Sequence, residues 1–316
     1  MAMTRTITTT TSDAQERDRA WPVAFVALAA IWGSSFLFIK VAVGSVPPVY
    51  VALGRTSIGM VTLMILLPFM RVGLPRGWAV WGHLAVAALL FNTVPFFLIA
   101  LGEVHVSSVL AGIWNATTPL VTVPAVAAIV PGERPTMQKV GGVLIGFAGV
   151  VVVLGPWRHT GGSALLGTLA CLGGAASYGV AFAYTRRFLS ERKEAGVSLS
   201  AAQLLLGTVQ LAVLAPLVAH MPHDVGWRAA GSLLVLGALG TGIAYILNYR
   251  VLRAAGATTA STVTYLIPVF STVAGVVFLH EALTWNEPVG GLVVLAGVAL
   301  AQGLLNGRAG SRTAAR

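Results

Sequence analysis

Two basic side chains stand inside long apolar stretches of this sequence. Lys40 lies near the end of the stretch that begins at Trp21, and Arg55 lies early in the next stretch. Such residues are functional candidates by default, because a charge placed in hydrocarbon is costly. Each side chain is also long enough to reach the surface of a membrane and anchor its helix. A substrate or gate role and a structural anchoring role are therefore both open for this pair.

A second group consists of uncharged polar and aromatic residues near the middle of the apolar stretches. Buried amides and hydroxyls need partners, which a bound substrate or water supplies in a cavity. Hydrogen bonding and packing between helices is the alternative. Aromatic faces favour an apolar or cationic body, and no charge is expected at mid-depth to neutralise a strong ion. The residues predicted to line a substrate cavity are Trp32, Asn92, Trp114, Asn115, Tyr178, Thr241, Tyr245 and Tyr265.

Two prolines, Pro119 and Pro268, lie inside apolar stretches at equivalent places in the two halves of the chain. A proline inside a helix removes one backbone donor and frees one carbonyl. Each is a candidate either for a packing kink or for a gating hinge.

The acidic residues avoid the middle of the apolar stretches, which disfavours a proton cycle through a buried carboxylate. We place Glu103 in a loop as an ordinary interfacial group, and we interpret Glu133 and Glu281 as structural caps. No stretch holds a Ser/His pair, paired carboxylates or a metal cluster, so no catalytic residue, metal site or cofactor is predicted. An intramembrane enzyme is accordingly disfavoured.

The composition predicts an integral membrane protein. Of the 316 residues, 56% are hydrophobic and 9% are charged, whereas a soluble domain is about 25% charged. Each stretch is long enough to span a bilayer, where backbone groups find no water and helices are required. We therefore expect about ten transmembrane helices, which begin near Trp21, Pro48, Trp78, Val106, Gln138, Ser163, Ser198, Ala229, Ala257 and Glu287.

The net charge of +10 does not indicate nucleic-acid binding, because the basic residues fall singly or in pairs between the apolar stretches. If both termini are cytoplasmic, sixteen of the twenty Lys and Arg lie inside and only Arg158 and Arg228 lie outside. The positive-inside rule thus predicts a multi-pass protein of the cell membrane with cytoplasmic termini.

The two halves of the chain resemble each other. Residues 32–36, WGSSF, match residues 178–182, YGVAF, and the proline motif at residues 118–120 matches the one at residues 267–269. Five spans per repeat is an odd number, so the copies must insert in opposite orientations, as in many transporters. The predicted division is a polar tail over 1–20, a first repeat over 21–156, a second, inverted repeat over 163–305 and a basic tail over 306–316.

These motifs give the chain a resemblance to the drug/metabolite transporter superfamily, EamA type. The residues that carry it are WGSSF at 32–36 with Lys40, Arg55, TPL at 118–120, GER at 132–134, YLIP at 265–268 and EALT at 281–284. The resemblance implies an all-α fold of two inverted five-helix repeats around a central cavity, with spans five and ten peripheral. It does not imply a substrate. The second repeat departs from the first in having Gln203 where Arg55 would map and Ala282 where Arg134 would map.

We therefore expect a secondary transporter that exports a small neutral or zwitterionic amphipathic metabolite, amino-acid-like or drug-like, by alternating access. Its expected partners are the lipid bilayer and a small-molecule substrate, with no nucleic acid. Glycine faces on spans five and ten would also permit a homodimer. A lipid flippase or scramblase on the same fold is the alternative, and a lateral opening between spans would distinguish it.

Overall fold

The computed structural model describes residues 20–132, 136–154, 162–189, 194–261 and 263–301. Most of the N-terminal tail, the whole C-terminal tail and Glu133 lie outside these ranges. The helices are α1 Trp21–Val43, α2 Pro48–Phe69, α3 Trp78–Ala88, α4 Val94–His105, α5 Ser108–Asn115, α6 Thr118–Ile129, α7 Met137–Leu154, α8 Gly162–Phe188, α9 Gly196–Val218, α10 Trp227–Leu234, α11 Ala244–Ser261, α12 Val263–Leu279 and α13 Asn286–Ala301. Two π-helical segments, π1 Leu89–Thr93 and π2 Val235–Ile243, join α3 to α4 and α10 to α11.

The expected all-α membrane fold is confirmed. Eight continuous helical stretches are long and apolar enough to cross a membrane, and α12 and α13 are shorter apolar helices. No strand occurs in the part of the chain that the structure describes. The two halves therefore supply about ten spans, whose edges fall close to the predicted positions. The ninth span differs most, because Ala257 still lies in α11 and α12 begins at Val263.

The two repeats pack into each other through equivalent glycines. Gly33 in α1 lies against Ile267 and Phe270 of α12, and Gly179 in α8 lies against Val121 and Thr122 of α6. A methyl group at either glycine would collide with the neighbouring helix, so the absence of a side chain permits the close approach. The first helix of each repeat thus packs against the fourth span of the other repeat.

Spans five and ten, α7 and α13, pack face to face through small residues. Gly142 lies against Gly297, and Gly149 lies against Gly290. These glycine faces are therefore already used within one chain. A homodimer through spans five and ten stays a prediction, and it would need their outer faces, where Leu292 is 67% exposed.

Several helices begin or end together at one end of the bundle. At this end α1, α4 and α12 finish while α2 and α5 begin, and we call it the Lys40 end. Lys40 from α1 and Glu281 from the segment after α12 both contact the backbone near the junction of α4 and α5. The Lys40 end is thus held together by side chains from both repeats.

Candidate functional site

Two of the predicted cavity residues, Asn92 and Thr241, lie in the π-helical segments, one in each repeat. Both side chains are 0% exposed. The hydroxyl of Thr241 donates to the carbonyl of Leu236, five residues earlier, at 3.0 Å. A π-helical turn is rare and is found frequently at functional sites, because it displaces side chains from the regular helical positions. Equivalent departures from α-helix thus place a polar residue in the centre of each repeat.

Arg55 from α2 reaches this central region. Its Nε donates to Oγ1 of Thr241 at 3.0 Å, and its guanidinium carbon lies 4.0 Å from the centre of the Phe96 ring. The Arg55 side chain is 9% exposed, so it does not extend to the end of its helix as an anchor would. The expectation that the central site holds no charge was therefore wrong. The terminal nitrogens of Arg55 form no hydrogen bond with any described residue, which leaves them available for an anion.

Asn92 joins three helical segments of the two repeats. Its amide nitrogen donates to the hydroxyl of Tyr245 in α11 at 3.1 Å, and its amide oxygen accepts from Nε2 of Gln203 in α9 at 2.7 Å. Gln203 occupies the place in the second repeat that Arg55 occupies in the first. The bonds Arg55–Thr241 and Gln203–Asn92 are thus equivalent under the inverted repeat, one charged and one neutral.

Tyr178 in α8 completes this group. Its ring centre lies 6.1 Å from that of Phe91, which precedes Asn92 in π1, and its side chain packs against the cluster of buried residues that includes Phe96. The structure therefore brings together five of the residues singled out from the sequence, from four different spans. We call this set the central cluster: Arg55, Asn92, Tyr178, Thr241 and Tyr245.

The other predicted cavity residues lie around a neighbouring hydrophobic core. Trp114 is 1% exposed, and Trp32 and Tyr265 pack partly buried against the same core. The Nε1 of Trp114 and the hydroxyl of Tyr265 are buried without a hydrogen-bond partner in the described part of the chain. Asn115 is half-buried, and its backbone carbonyl accepts a hydrogen bond from the hydroxyl of Thr118. Their role as cavity lining stays a prediction.

The two prolines prove to be in different settings. Pro119 follows a break between α5 and α6, while Pro268 lies inside the continuous helix α12. At the break, the hydroxyl of Thr117 donates to the carbonyl of Trp114 at 2.6 Å, and that of Thr118 donates to the carbonyl of Asn115 at 2.8 Å. These hydroxyls replace the lost helical bonds, as an interrupted membrane helix requires. A hinge role for either proline stays a prediction.

Lys40 makes the contacts expected of a structural anchor. Its ammonium group donates to the backbone carbonyls of Glu103 at 2.6 Å and Val106 at 2.8 Å. These carbonyls lie at the end of α4, where helical partners are lacking and a cation interacts favourably with the helix dipole. Lys40 thus ties α1 to α4, and a gate role for Lys40 stays a prediction.

Two acidic residues near the Lys40 end, Glu281 and Glu103, lie in different surroundings. The carboxylate of Glu281 accepts from the backbone nitrogens of Ser108 at 2.8 Å and Val109 at 3.1 Å, and from the Ser108 hydroxyl at 2.9 Å. The cap interpretation of Glu281 is therefore confirmed, although the capped helix belongs to the other repeat. The placement of Glu103 in a loop was wrong, because it lies within α4 and is 0% exposed.

Sequence reasoning missed three contributors to this region. Gln203 was noted only as a departure from the repeat, and the stacking of Phe96 on Arg55 has no local signal. Glu103 was misplaced because it stands two residues before His105, at the apparent edge of an apolar stretch. The helix continues through both residues, which draws the carboxylate inside.

Known proteins resemble this chain along nearly all of its length. Residues 19–155 and 165–302 each match the EamA-like transporter family. An uncharacterized transporter of Bacillus subtilis, YoaV, is 26% identical over 278 residues, which cover 87% of this chain and 94% of the relative. A probable terminal-alkyne amino-acid exporter of Streptantibioticus cattleyicolor is 28% identical over 280 residues, with coverages of 88% and 91%. A solved crystal structure, 23% identical, superposes with a TM-score of 0.65 over 92% of this chain and 99% of its own, which supports the fold alone.

Proposed function

Because the chain belongs to the EamA-like transporter family, we propose that it is a secondary transporter that exports a small zwitterionic solute of amino-acid size. The solute would bind at the central cluster and reach each side of the membrane in turn by alternating access. This proposal narrows the expectation from the sequence, since a neutral solute would leave the buried cation of Arg55 unused.

The observation that carries the proposal is the state of Arg55. Its Nε is held by Thr241 and its face by Phe96, while its terminal nitrogens have no hydrogen-bond partner among the described residues. A guanidinium presented in this way matches the geometry of a carboxylate, which accepts two parallel hydrogen bonds. The rings of Tyr178 and Tyr245 nearby would contact the apolar or cationic part of the same solute.

The direction of transport and the choice of membrane follow from two further observations. Export is favoured by the relative from Streptantibioticus cattleyicolor, whose name describes a probable amino-acid exporter. Insertion in the cell membrane with cytoplasmic termini follows from the distribution of Lys and Arg along the sequence. In this orientation the Lys40 end faces outward.

Transport by reconstituted protein tests the proposal. Vesicles that contain the purified protein and are loaded with a radiolabelled neutral amino acid, such as L-phenylalanine, should exchange it for external unlabelled solute faster than empty vesicles. The variant Arg55→Gln should raise the half-saturation concentration about 10- to 150-fold, because a hydrogen bond to a charged group is worth about 1.5–3 kcal/mol.

The matched control is Arg228→Gln, since Arg228 is an exposed arginine outside the central cluster. It should transport like the parent protein. Equal half-saturation concentrations for Arg55→Gln and Arg228→Gln would contradict the proposed site. Movement of fluorescent phospholipids between leaflets, without exchange of any amino acid, would favour a lipid scramblase instead.

A further inference from the structure

Two glutamines on α9, Gln203 and Gln210, hold the π-helical segment π1. The Nε2 of Gln203 donates to Oδ1 of Asn92 at 2.7 Å, and the Oε1 of Gln210 accepts from the Thr93 hydroxyl at 2.6 Å. Gln210 also donates its Nε2 to the carbonyl of Ala85 at 2.9 Å, so both ends of its amide are used. The Oε1 of Gln203 forms no hydrogen bond with any described residue. One of two otherwise similar amides therefore keeps an acceptor unused.

The hydrogen-bond network determines that the unused atom of Gln203 is an acceptor. The Nδ2 of Asn92 donates to the hydroxyl of Tyr245 at 3.1 Å, so Asn92 presents its oxygen to Gln203 and receives the Nε2 in return. Gln203 is half-buried, and its amide points inward, because Asn92 is 0% exposed. An amide oxygen inside an apolar bundle is costly unless a bound group or water donates to it. The Oε1 of Gln203 thus lacks a donor that a solute can supply.

A continuous series of side chains joins Gln203 to Arg55. The Nε of Arg55 donates to Oγ1 of Thr241 at 3.0 Å. Tyr245 follows Thr241 by four residues, and side chains with this spacing on a helix are neighbours, about 5–6 Å apart at their Cβ atoms. The hydroxyl of Tyr245 then contacts Asn92, which contacts Gln203. Arg55 and Gln203 therefore lie at the two ends of one short series of contacts.

The packing of α9 brings the same two residues into one region. A methyl group at Gly207 would lie 3.2 Å from Cβ of Asn92 and 3.4 Å from Cγ2 of Thr56. Gly207 follows Gln203 by four residues, and Thr56 directly follows Arg55. The absence of a side chain at Gly207 thus lets α9 approach π1 and α2 together, close to both polar groups.

We propose that the Oε1 of Gln203 accepts a hydrogen bond from the ammonium group of the solute, while Arg55 binds the carboxylate. The proposal rests on the proposed function and deepens it, because it adds a residue that selects zwitterions. The half-buried rings of Tyr178 and Tyr245 would contact the same ammonium group through their faces. A solute without an ammonium group would satisfy Arg55 but leave the oxygen of Gln203 without a donor, and it should bind more weakly.

Three ligands that share one phenyl group test this selection. L-phenylalanine carries both charges at about pH 7, 3-phenylpropionate lacks the ammonium group, and phenethylamine lacks the carboxylate. Calorimetry on the purified full-length protein in detergent measures their affinities without leakage across vesicles. The parent protein should bind L-phenylalanine about 10- to 150-fold more tightly than either analogue, because each analogue loses hydrogen bonding to a charged group.

Substitutions at the two ends of the series should affect different ligands. Gln203→Met removes the amide from a side chain of similar length, so it should abolish most of the preference for L-phenylalanine over 3-phenylpropionate and keep the preference over phenethylamine. Arg55→Gln should have the reverse effect. A role of Gln203 in folding alone would change all three affinities together, so the ratios of affinities isolate the contact with the ammonium group.

Gln210→Met is the matched control. It removes the same type of side chain from the same helix, but its amide is already engaged by Thr93 and Ala85. Both preferences should therefore survive in this variant. Loss of the preference over 3-phenylpropionate in Gln210→Met as well would show that the amides act through the fold, and it would overturn the proposal.

Gln203→Glu provides a second test of the acceptor. This variant keeps oxygen at the position and adds a negative charge, so it should bind phenethylamine more tightly than the parent protein. Weaker binding of phenethylamine would contradict an acceptor role for this position.

The outcomes separate the two proposals. An unchanged preference over 3-phenylpropionate in Gln203→Met would overturn the ammonium site and leave the carboxylate site at Arg55 intact. An unchanged preference over phenethylamine in Arg55→Gln, with the expected result for Gln203→Met, would refute the carboxylate site and support the ammonium site. Absence of L-phenylalanine binding to the parent protein would refute both.

Discussion

The hydroxyl of Thr241 is the point at which the central cluster can be perturbed with least change of shape. Valine has nearly the same volume as threonine but no hydroxyl, so Thr241→Val removes the acceptor of the Arg55 Nε bond at 3.0 Å. The same substitution removes the bond from Thr241 to the carbonyl of Leu236. Serine at this position would keep both bonds.

The expected effect follows from the charge of the donor. A hydrogen bond to a charged group contributes about 1.5–3 kcal/mol, and a guanidinium nitrogen left buried without an acceptor adds a desolvation cost. If Arg55 holds the solute, Thr241→Val should weaken binding about 10- to 150-fold. Thr241→Ser should stay within a factor of about three, because a loss of less than about 1 kcal/mol is expected when both bonds survive.

A double-mutant cycle with Arg55→Met separates this bond from its surroundings. If Thr241 acts by orienting Arg55, the effects of the two substitutions should not add, and the interaction energy should lie between about 0.5 and 3 kcal/mol. The control is Thr208→Val, since the Thr208 hydroxyl bonds only to the carbonyl of Leu204 in its own helix. Additive losses in the cycle, or equal half-saturation constants for the valine and serine variants of Thr241, would refute the reasoning.

Three further predictions concern the frame around the cluster. Lys40→Met should lower the free energy of unfolding of the purified protein in detergent by about 1.5–3 kcal/mol for each charged bond lost at the end of α4. An unchanged free energy of unfolding would exclude the anchoring role. Gly297→Leu should destabilise by at least about 1–3 kcal/mol through overpacking against α7, whereas Gly141→Ala, which meets no atom within 4 Å, should not. In a Cys171→Ala background, a cysteine at Ser45 should react with impermeant thiol reagents added outside intact cells and one at Gly73 should not; the reverse pattern would invert the topology.

The helices were predictable because they depend mainly on the composition of the chain. Apolar stretches of sufficient length can only be helical in a bilayer, so the positions of Trp21, Pro48 and Trp78 as helix starts follow almost directly. Helix interruptions were harder to predict. The prolines gave the same signal at Pro119 and Pro268, yet only the former follows a break, because nearby hydroxyls of Thr117 and Thr118 satisfy the freed carbonyls there.

The central cluster was partly predictable for a similar reason. Asn92, Thr241 and Tyr245 are polar groups that cannot be left unpaired in an apolar interior, so their types alone indicated an interior site. The direction of a long side chain is not encoded in this way. Arg55 could extend to the membrane surface or fold inward, and its inward course depends on Thr241 and Phe96, which lie far away in the sequence.

The inverted repeat explains why this cluster has two unlike ends. The contact of α2 with π2 and the contact of α9 with π1 are equivalent, and each joins a long polar side chain to a residue of a π-helical turn. The first contact holds a guanidinium, Arg55, and the second holds an amide, Gln203. A symmetric scaffold with one cation offers a polar, dipolar solute a single favourable orientation, with its negative group toward Arg55. Exchange of the two residues, Arg55→Gln with Gln203→Arg, should therefore preserve the scaffold while turning that preferred orientation around.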